Sequence, residues 1–174
     1  WDPCAGYGGR MLGAAAAGVH YIGTDVDPRT IQGNRELAEV IGYNPTLTVT
    51  EAERFTSPSV SLVFTSPPYF DRERYSGNEK QSWKQYGNVE AWRDGFLLPM
   101  ICRASEALPA DGPLVLNIAD IRQRGTIVPL VSITINTAMV SGFDHVETFL
   151  MPIASINRVD ASEPILVFLK HGKH

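Results

Sequence analysis

Two short segments of this 174-residue chain gather residue types that chemistry needs in one place: DPCAGYGGR at 2–10 and TSPPYF at 65–70. The first reads as a strand end that opens into a helix. Glycines at such a turn let a ligand approach the backbone closely, and the free amides of the helix start face outward. The spacing is Gly-x-Gly-Gly and lacks the third glycine of a dinucleotide-binding turn, which weakens a pyrophosphate site. A tight strand-to-helix turn that holds no ligand accounts for the same residues.

The second segment ends an apolar run on Thr65 and Ser66, then on two prolines and two aromatics. The pair Pro67-Pro68 removes two backbone donors and fixes φ, leaving carbonyls that can only accept. A rigid turn of bare acceptors suits a substrate that brings donors, such as an exocyclic amine with two N–H bonds. Ser66 Oγ and the Pro67 carbonyl can hold both hydrogens while the Tyr69 ring offers a stacking face to a planar base. The competing expectation is a proline-stiffened turn with Tyr69 packed in the core.

Three carboxylates fall at strand ends or beside them. Asp25 lies about 20 residues beyond the glycine turn, where an acid accepts hydrogen bonds from both ribose hydroxyls of a nucleoside cofactor. Asp27 precedes Pro28, and capping of the following helix explains it fully. Glu51 ends the third strand, either to take a hydrogen bond from an adenine amine or as a solvated strand end.

These segments need a scaffold, and the pattern supplies one: apolar runs of strand length alternate with helical stretches, the signature of an α/β fold with a largely parallel sheet. Strands are expected at 20–25, 46–50, 59–65, 113–119, 145–151 and 164–170, and helices at 10–18, 28–41, 89–108 and 127–140. The last two strands are joined by MPIASINRVDASE, which has no helical pattern, so they should pair antiparallel. The stretch 66–88 is a long polar loop in which Arg72, Arg74, Lys80 and Lys84 alternate with Asp71, Glu73 and Glu79 among Tyr75, Trp83 and Tyr86. It suits either a nucleic-acid lip or a solvated loop.

At 44 % hydrophobic, the chain has material for one core, and a single domain over 1–174 is expected. A net charge of −4 argues against a freestanding electrostatic binder of nucleic acid but leaves room for a local basic lip. Cys4 and Cys102 have no His or Cys neighbours at metal-ligand spacing, so neither a disulfide nor a metal site is expected. No apolar run is long enough for a bilayer span and no signal-peptide pattern opens the chain, so a cytoplasmic protein without a membrane partner is expected. The chain starts without Met on what reads as the last residues of a strand, which suggests a fragment.

DPCAGYGG, then TDVDP, then TSPPYF, closing with EPILVFLK, resembles the S-adenosylmethionine-dependent DNA amino-methyltransferases that modify cytosine N4 or adenine N6. The likeness spans essentially the whole chain, and SPPY is its most specific part. It implies a Rossmann-like class I methyltransferase fold: a mostly parallel seven-stranded sheet with an antiparallel last strand and helices on both faces. It implies S-adenosylmethionine as cofactor, held by Asp2, Pro3, Cys4, Ala5, Gly6, Gly8, Asp25, Val26 and Glu51, and a catalytic turn of Ser66, Pro67, Pro68 and Tyr69 that receives a flipped or single-stranded DNA base.

Two departures from that pattern stand out. Cys4 occupies a position where such enzymes often have Phe, and the glycine motif precedes SPPY, the reverse of many DNA methylases of this type. No separate target-recognition domain is visible, so sequence specificity must come from the 70–88 loop, a missing segment or a specificity subunit. An RNA amino-methyltransferase uses the same pocket, a protein-glutamine methyltransferase favours Asn where Ser66 stands, and a silent cofactor-binding module is the remaining alternative. Ser66 leans toward cytosine N4.

Overall fold

The computed structural model describes residues 1–70, 85–123, 125–153 and 162–172. The strands are β1 (Ile22–Asp25), β2 (Thr46–Val49), β3 (Val63–Thr65), β4 (Pro113–Asn117), a hairpin of β5 (Ile121–Gln123) and β6 (Thr126–Val128), then β7 (Phe143–Pro152) and β8 (Ser162–Lys170). β1 pairs parallel with β2 and β3 parallel with β4, whereas β8 runs antiparallel to both β4 and β7. The first two residues join these blocks. Asp2 exchanges backbone hydrogen bonds with β1, its N–H donating to Ile22 O at 2.8 Å and its carbonyl accepting from Thr24 N at 3.0 Å. On the other side the Trp1 ammonium donates to Leu62 O at 2.8 Å and Phe64 N donates to Trp1 O at 3.0 Å. The lateral order is therefore β2, β1, residues 1–2, β3, β4, β8, β7.

That order has a functional consequence. From residues 1–2 the chain winds outward through β1 and β2 and then returns to start β3 on the opposite side. Loops leaving residues 1–3 and β3 diverge there, and the crevice left at the carboxyl ends is where open α/β sheets bind ligands.

The helices are α1 (Gly9–Ala16), α2 (Pro28–Val40), α3 (Val89–Trp92), α4 (Leu98–Ala107) and α5 (Leu130–Val140), with a 3₁₀ turn at Ala52–Arg54. α2 starts as its sequence dictates: the Asp27 side chain accepts from Arg29 N at 2.9 Å and Pro28 takes the first helical position. The main core packs Val63, Leu114, Leu116, Phe143, Leu166 and Phe168 of the sheet against Trp92, Leu97, Met100 and Ile101. Each such fully buried side chain contributes about 1.5–3 kcal/mol. Met11, Tyr21 and Ala38 form a smaller cluster that seats α1 and α2 beside β1.

The expected helix over 89–108 has the right extent but carries a π-helical turn, Arg93–Leu97, between α3 and α4. Pro99 has no N–H to return to the carbonyl of Gly95, and the Tyr86 hydroxyl donates to that carbonyl instead, at 2.9 Å. The helix expected to start at residue 127 starts at Leu130, because the β-branched run Thr126–Val128 pairs with Ile121–Gln123 and Gly125 turns the hairpin at φ 84°. β7 and β8 pair antiparallel, as their short connection requires.

Candidate active site

A cleft of about 870 Å³ opens at the carboxyl edge of the sheet, where the switch in strand order places it. One side is formed by Pro3, Cys4, Ala5, Gly6, Tyr7, Gly9 and Arg10, with Asp25, Val26, Asp27 and the start of α2. The other side is formed by Ala52, Glu53, Ser66, Pro68, Gln85, Tyr86 and Phe96. The glycine turn and the proline turn, 56 or more residues apart in sequence, thus face one space.

The glycine turn is braced from below. Asp2 is 1 % exposed and does not line the cleft; its carboxylate is consumed by internal partners. Oδ2 accepts from Arg10 Nε and Tyr21 OH, each at 2.7 Å, and Oδ1 accepts from Thr65 Oγ1 at 2.8 Å and Cys4 N at 3.2 Å. Asp2, expected at the cofactor, is placed beneath the cleft lining, where a carboxylate with four donors and almost no exposure organises the turn. The same network pushes the Tyr21 phenol far above its ordinary value, through burial first and then the adjacent Asp2 charge. Burial likewise drives the Cys4 thiol well up, with the charges of Asp2 and Asp25 adding to it, so Cys4 is a protonated, unreactive wall of the cleft.

Gly8 does not line the cleft either, yet its glycine is required. It caps α1 at φ 85°, and a Cβ there would stand 2.7 Å from Asn34 Oδ1 and 3.1 Å from Leu37 Cδ2. Asn34, 2 % exposed, uses its amide to donate to Gly6 O at 2.9 Å, tying α2 to the turn. Asp25 holds the turn from β1: Oδ2 accepts from Gly6 N at 3.1 Å and Oδ1 from Asp27 N at 2.9 Å. Burial raises the Asp25 pKa above the ordinary aspartate value, and the two backbone amides pull in the opposite direction without cancelling it. Each oxygen keeps a lone pair for a hydroxyl in the cleft.

The proline turn differs from its expectation. Thr65 is fully buried at the end of β3, where its hydroxyl accepts from Cys4 N at 3.1 Å while donating to Asp2. One buried threonine therefore welds the two turns together, which is why the strand ends on a hydroxyl. Ser66 and Pro68 line the cleft; Pro67 and Tyr69 do not. Phe70 N donates to Pro68 O at 2.8 Å, a one-residue turn about Tyr69, and Phe70 takes φ 52°. That reversal sends both rings inward, leaving Tyr69 3 % and Phe70 4 % exposed within the main core. The Tyr69 hydroxyl lies 3.2 Å from both Asn117 Oδ1 and Glu163 Oε2, which satisfies a buried phenol. Of the two expectations for Tyr69, the buried ring is realised and the open stacking face is not.

Glu51 is not among the residues that line the cleft either. It is 3 % exposed and paired with Arg54, and the residues after it, Ala52 and Glu53, line the cleft in its place. Glu53 is raised by burial and then by the Glu51 charge, and burial and the nearby Glu53 charge push the Tyr86 phenol up to about 12. A Cβ on Gly95 would meet the Tyr86 ring at 2.5 Å, so the bare π-helical turn is the seat of that ring. Arg10 and Thr65 stand inside the two motifs and Tyr86 in the polar loop without a role assigned to them there, and Asn34 and Glu53 carry no motif in the sequence. The only available signal was charge balance, since a buried Asp2 requires a cation and Arg10 is the first one after it. The loop residues Arg72, Arg74, Tyr75, Lys80, Trp83 and Lys84 lie outside the described residues. Among the described residues no helix is long and apolar enough to cross a membrane.

No protein-family model matches the sequence, and no curated protein matches it. Solved structures do resemble the fold. TrmN from Thermus thermophilus superposes with a TM-score of 0.67 at 17 % identity, over 97 % of this chain and 42 % of that one. A methyltransferase from Pyrococcus furiosus gives 0.66 at 14 % identity, over 98 % and 73 %. Magnesium protoporphyrin IX methyltransferase (ChlM) from Synechocystis PCC 6803, solved with bound SAM, gives 0.64 at 15 % identity, over 97 % and 68 %. The chain thus spans less than half of TrmN and about 70 % of the other two. At these identities the likeness concerns architecture, and that architecture is the Rossmann-like class I methyltransferase fold.

Proposed function

We propose that this chain binds S-adenosylmethionine in the cleft and methylates an exocyclic amino nitrogen of a DNA base, cytosine N4 or adenine N6. The observation that carries this is the cleft shared by the glycine turn, Asp25 and the Ser66-Pro68 turn, with Thr65, at the head of the proline turn, bonded to Asp2 and Cys4 of the glycine turn. The residues present suit the cofactor. Gly9 lines the cleft with nothing within 4 Å of where a Cβ would stand, leaving room against the backbone for an amino-acid tail. Asp25 offers two carboxylate oxygens to a ribose, and Val26 an apolar surface beside it.

When bound, S-adenosylmethionine supplies a methyl group on a sulfonium, so that the N–C bond forms as the S–C bond breaks and the thioether leaves neutral. The protein's task is to present the amine. A ring-conjugated amine is a poor nucleophile, and hydrogen bonds to both its hydrogens pull the lone pair out of conjugation and aim it. Ser66 lines the cleft, and its Oγ is the acceptor offered to the amine; the Pro67 carbonyl has no hydrogen-bond partner among the described residues, but Pro67 does not line the cleft, so its part as second acceptor rests on the motif alone. The departing amine proton passes to solvent. Tyr86, half-buried on this side of the cleft, is the ring placed to meet a planar ligand, a role that Tyr69 of the motif does not fill. A base inside a duplex cannot reach such a cleft, so the substrate is an extruded or single-stranded nucleotide. The net charge of −4 leaves room for a specificity subunit that supplies duplex affinity.

The test is incubation with methyl-labelled S-adenosylmethionine and DNA or RNA oligonucleotides, digestion to nucleosides and identification of the product by mass. N4-methylcytosine or N6-methyladenine in the DNA arm is the expected result. Label confined to RNA would replace DNA as the substrate, and calorimetry showing no cofactor binding to folded protein would remove the methyltransferase assignment.

A further inference from the structure

Resting on that cofactor assignment, we infer that Arg10 recognises the carboxylate of the cofactor's amino-acid tail and so selects amino-acid-bearing nucleosides over truncated ones. The guanidinium stands in the first turn of α1 and lines the cleft with its side chain 24 % exposed. Two of its donors fix it: Nε to Asp2 Oδ2 at 2.7 Å and Nη2 to Cys4 O at 2.5 Å. An arginine carries five N–H donors, so three remain, and none has a partner among the described residues. A cation that is held rigid and partly shielded from water, with donors to spare, is built to pair with a planar carboxylate at low ordering cost.

The charges around it favour the same ligand group. Burial works to lower the Arg10 pKa, but the Asp2 carboxylate overrides it and raises it, so the side chain is a permanent cation. Among the described residues the other arginine that lines the cleft is Arg29, which is bound to Asp27 and has a side chain 76 % exposed. The first turn of α1 contains no acidic residue, and its Gly8 cap offers no side chain to the amides there, so nothing on that element competes for an anion. Asp25, on the far side of the turn, is spoken for by Gly6 N and Asp27 N and faces the ribose position. A ligand that enters with ribose at Asp25 and tail along Gly9 meets Arg10 at its charged end.

The experiment compares two ligands on three proteins by titration calorimetry: S-adenosylhomocysteine, which has the carboxylate, and 5′-methylthioadenosine, which lacks the amino-acid tail, on wild type, Arg10→Gln and Arg10→Lys. Arg10→Gln should weaken S-adenosylhomocysteine about tenfold to a hundredfold, the size of a lost charged hydrogen bond, and leave 5′-methylthioadenosine within about twofold. Arg10→Lys should fall between, because it keeps the charge and loses the planar fork. Equal weakening of both ligands would mean that Arg10 merely shapes the turn, and unchanged S-adenosylhomocysteine affinity would also overturn the inference. Should Arg10→Gln fail to fold, Arg10→Lys carries the same ligand comparison. If folded wild type binds neither nucleoside, the cofactor assignment itself fails, an outcome distinct from the loss of selectivity in the variants.

Discussion

The two turns that face the cleft solve one problem in opposite ways. The glycine turn stays thin: its backbone lies along the cleft, and its rigidity comes from groups behind it, the Asp2 carboxylate with four donors and the Asn34 amide on Gly6 O. The proline turn is stiff in itself and is anchored by a ring driven into the core, Tyr69 at 3 % exposure with its hydroxyl between Asn117 and Glu163. One turn depends on the absence of side chains and the other on the burial of one. Substitutions should therefore fail differently: additions harm the first, and truncations harm the second.

The largest expected effect is at the anchored turn. Tyr69→Ala removes a buried aromatic and should cost about 3–5 kcal/mol of unfolding free energy in denaturant melts, with activity lost as the fold is lost. A variant of wild-type stability whose methyl transfer is nonetheless abolished would show that the ring stacks on substrate, and the contrast between the turns would collapse.

Next in size is an addition to the thin turn. Gly8→Ala forces a side chain into φ 85° and against Asn34 Oδ1 at 2.7 Å. A cost of about 1–3 kcal/mol follows from left-handed strain plus overpacking. Because Asn34 also holds Gly6, S-adenosylhomocysteine affinity should fall as well, whereas Gly9→Ala, where a Cβ meets nothing, should leave the melt unchanged. Equal melts for Gly8→Ala and wild type would show that the turn does not need its glycine.

Much of this was legible in the sequence, for reasons tied to particular residues. Period and length located β1, β2, β4 and α2, and Asp27-Pro28 marked a helix start because capping is a local interaction. The short connection after β7 fixed its pairing with β8. The glycine and proline motifs located the cleft because backbone conformation, which they govern, is set within a few residues. What stayed hidden were pairings across long sequence distance. Thr65 reaches Asp2 over 63 residues and Tyr69 reaches Glu163 over 94, and no local pattern announces either. Tyr69 was assigned by motif to the substrate, but the positive φ at Phe70 that turns it inward is not written in a Pro-Pro-Tyr-Phe string. Glu51 and Glu53 show the same limit at close range, since the 3₁₀ turn that begins at Ala52 decides which of them reaches the cleft.

A smaller effect tests the carboxylate beside the glycine turn. Asp25 has a raised pKa, through burial first, with Asp27 and Asp2 adding like charge. For stability the sign is that its favourable contribution is present below the ordinary aspartate range and is lost as pH rises through the raised folded-state value. Cofactor affinity should run the other way, because ribose hydroxyls donate to the ionised form. Affinity should thus fall on acidification, by up to about tenfold per pH unit, starting above the ordinary aspartate pKa of about 3.9. Calorimetric titrations of S-adenosylhomocysteine across that range should show the slope in wild type and a weaker, flat profile in Asp25→Asn. A flat wild-type profile would place the ribose elsewhere.

The smallest effect separates the ring of Tyr69 from its hydroxyl, and so decides which of the two anchors the proline turn. Tyr69→Phe keeps the buried surface and the one-residue turn at Pro68–Phe70 and deletes the hydroxyl, with its contacts to Asn117 Oδ1 and Glu163 Oε2. Asn117 retains its bond from Nδ2 to Pro164 O, so the deletion leaves one acceptor of that side chain short, not the whole amide. The expected loss is about 1 kcal/mol, or roughly 2–4 °C in Tm for a chain of this size. S-adenosylhomocysteine affinity should be unchanged, since Tyr69 does not line the cleft, and the ratio of the Tyr69→Ala to the Tyr69→Phe losses should then be near three or more. If Tyr69→Phe instead cost as much as Tyr69→Ala, the hydroxyl would be the anchor, and the proline turn would prove to be held as the glycine turn is, by polar groups behind it and not by a ring in the core.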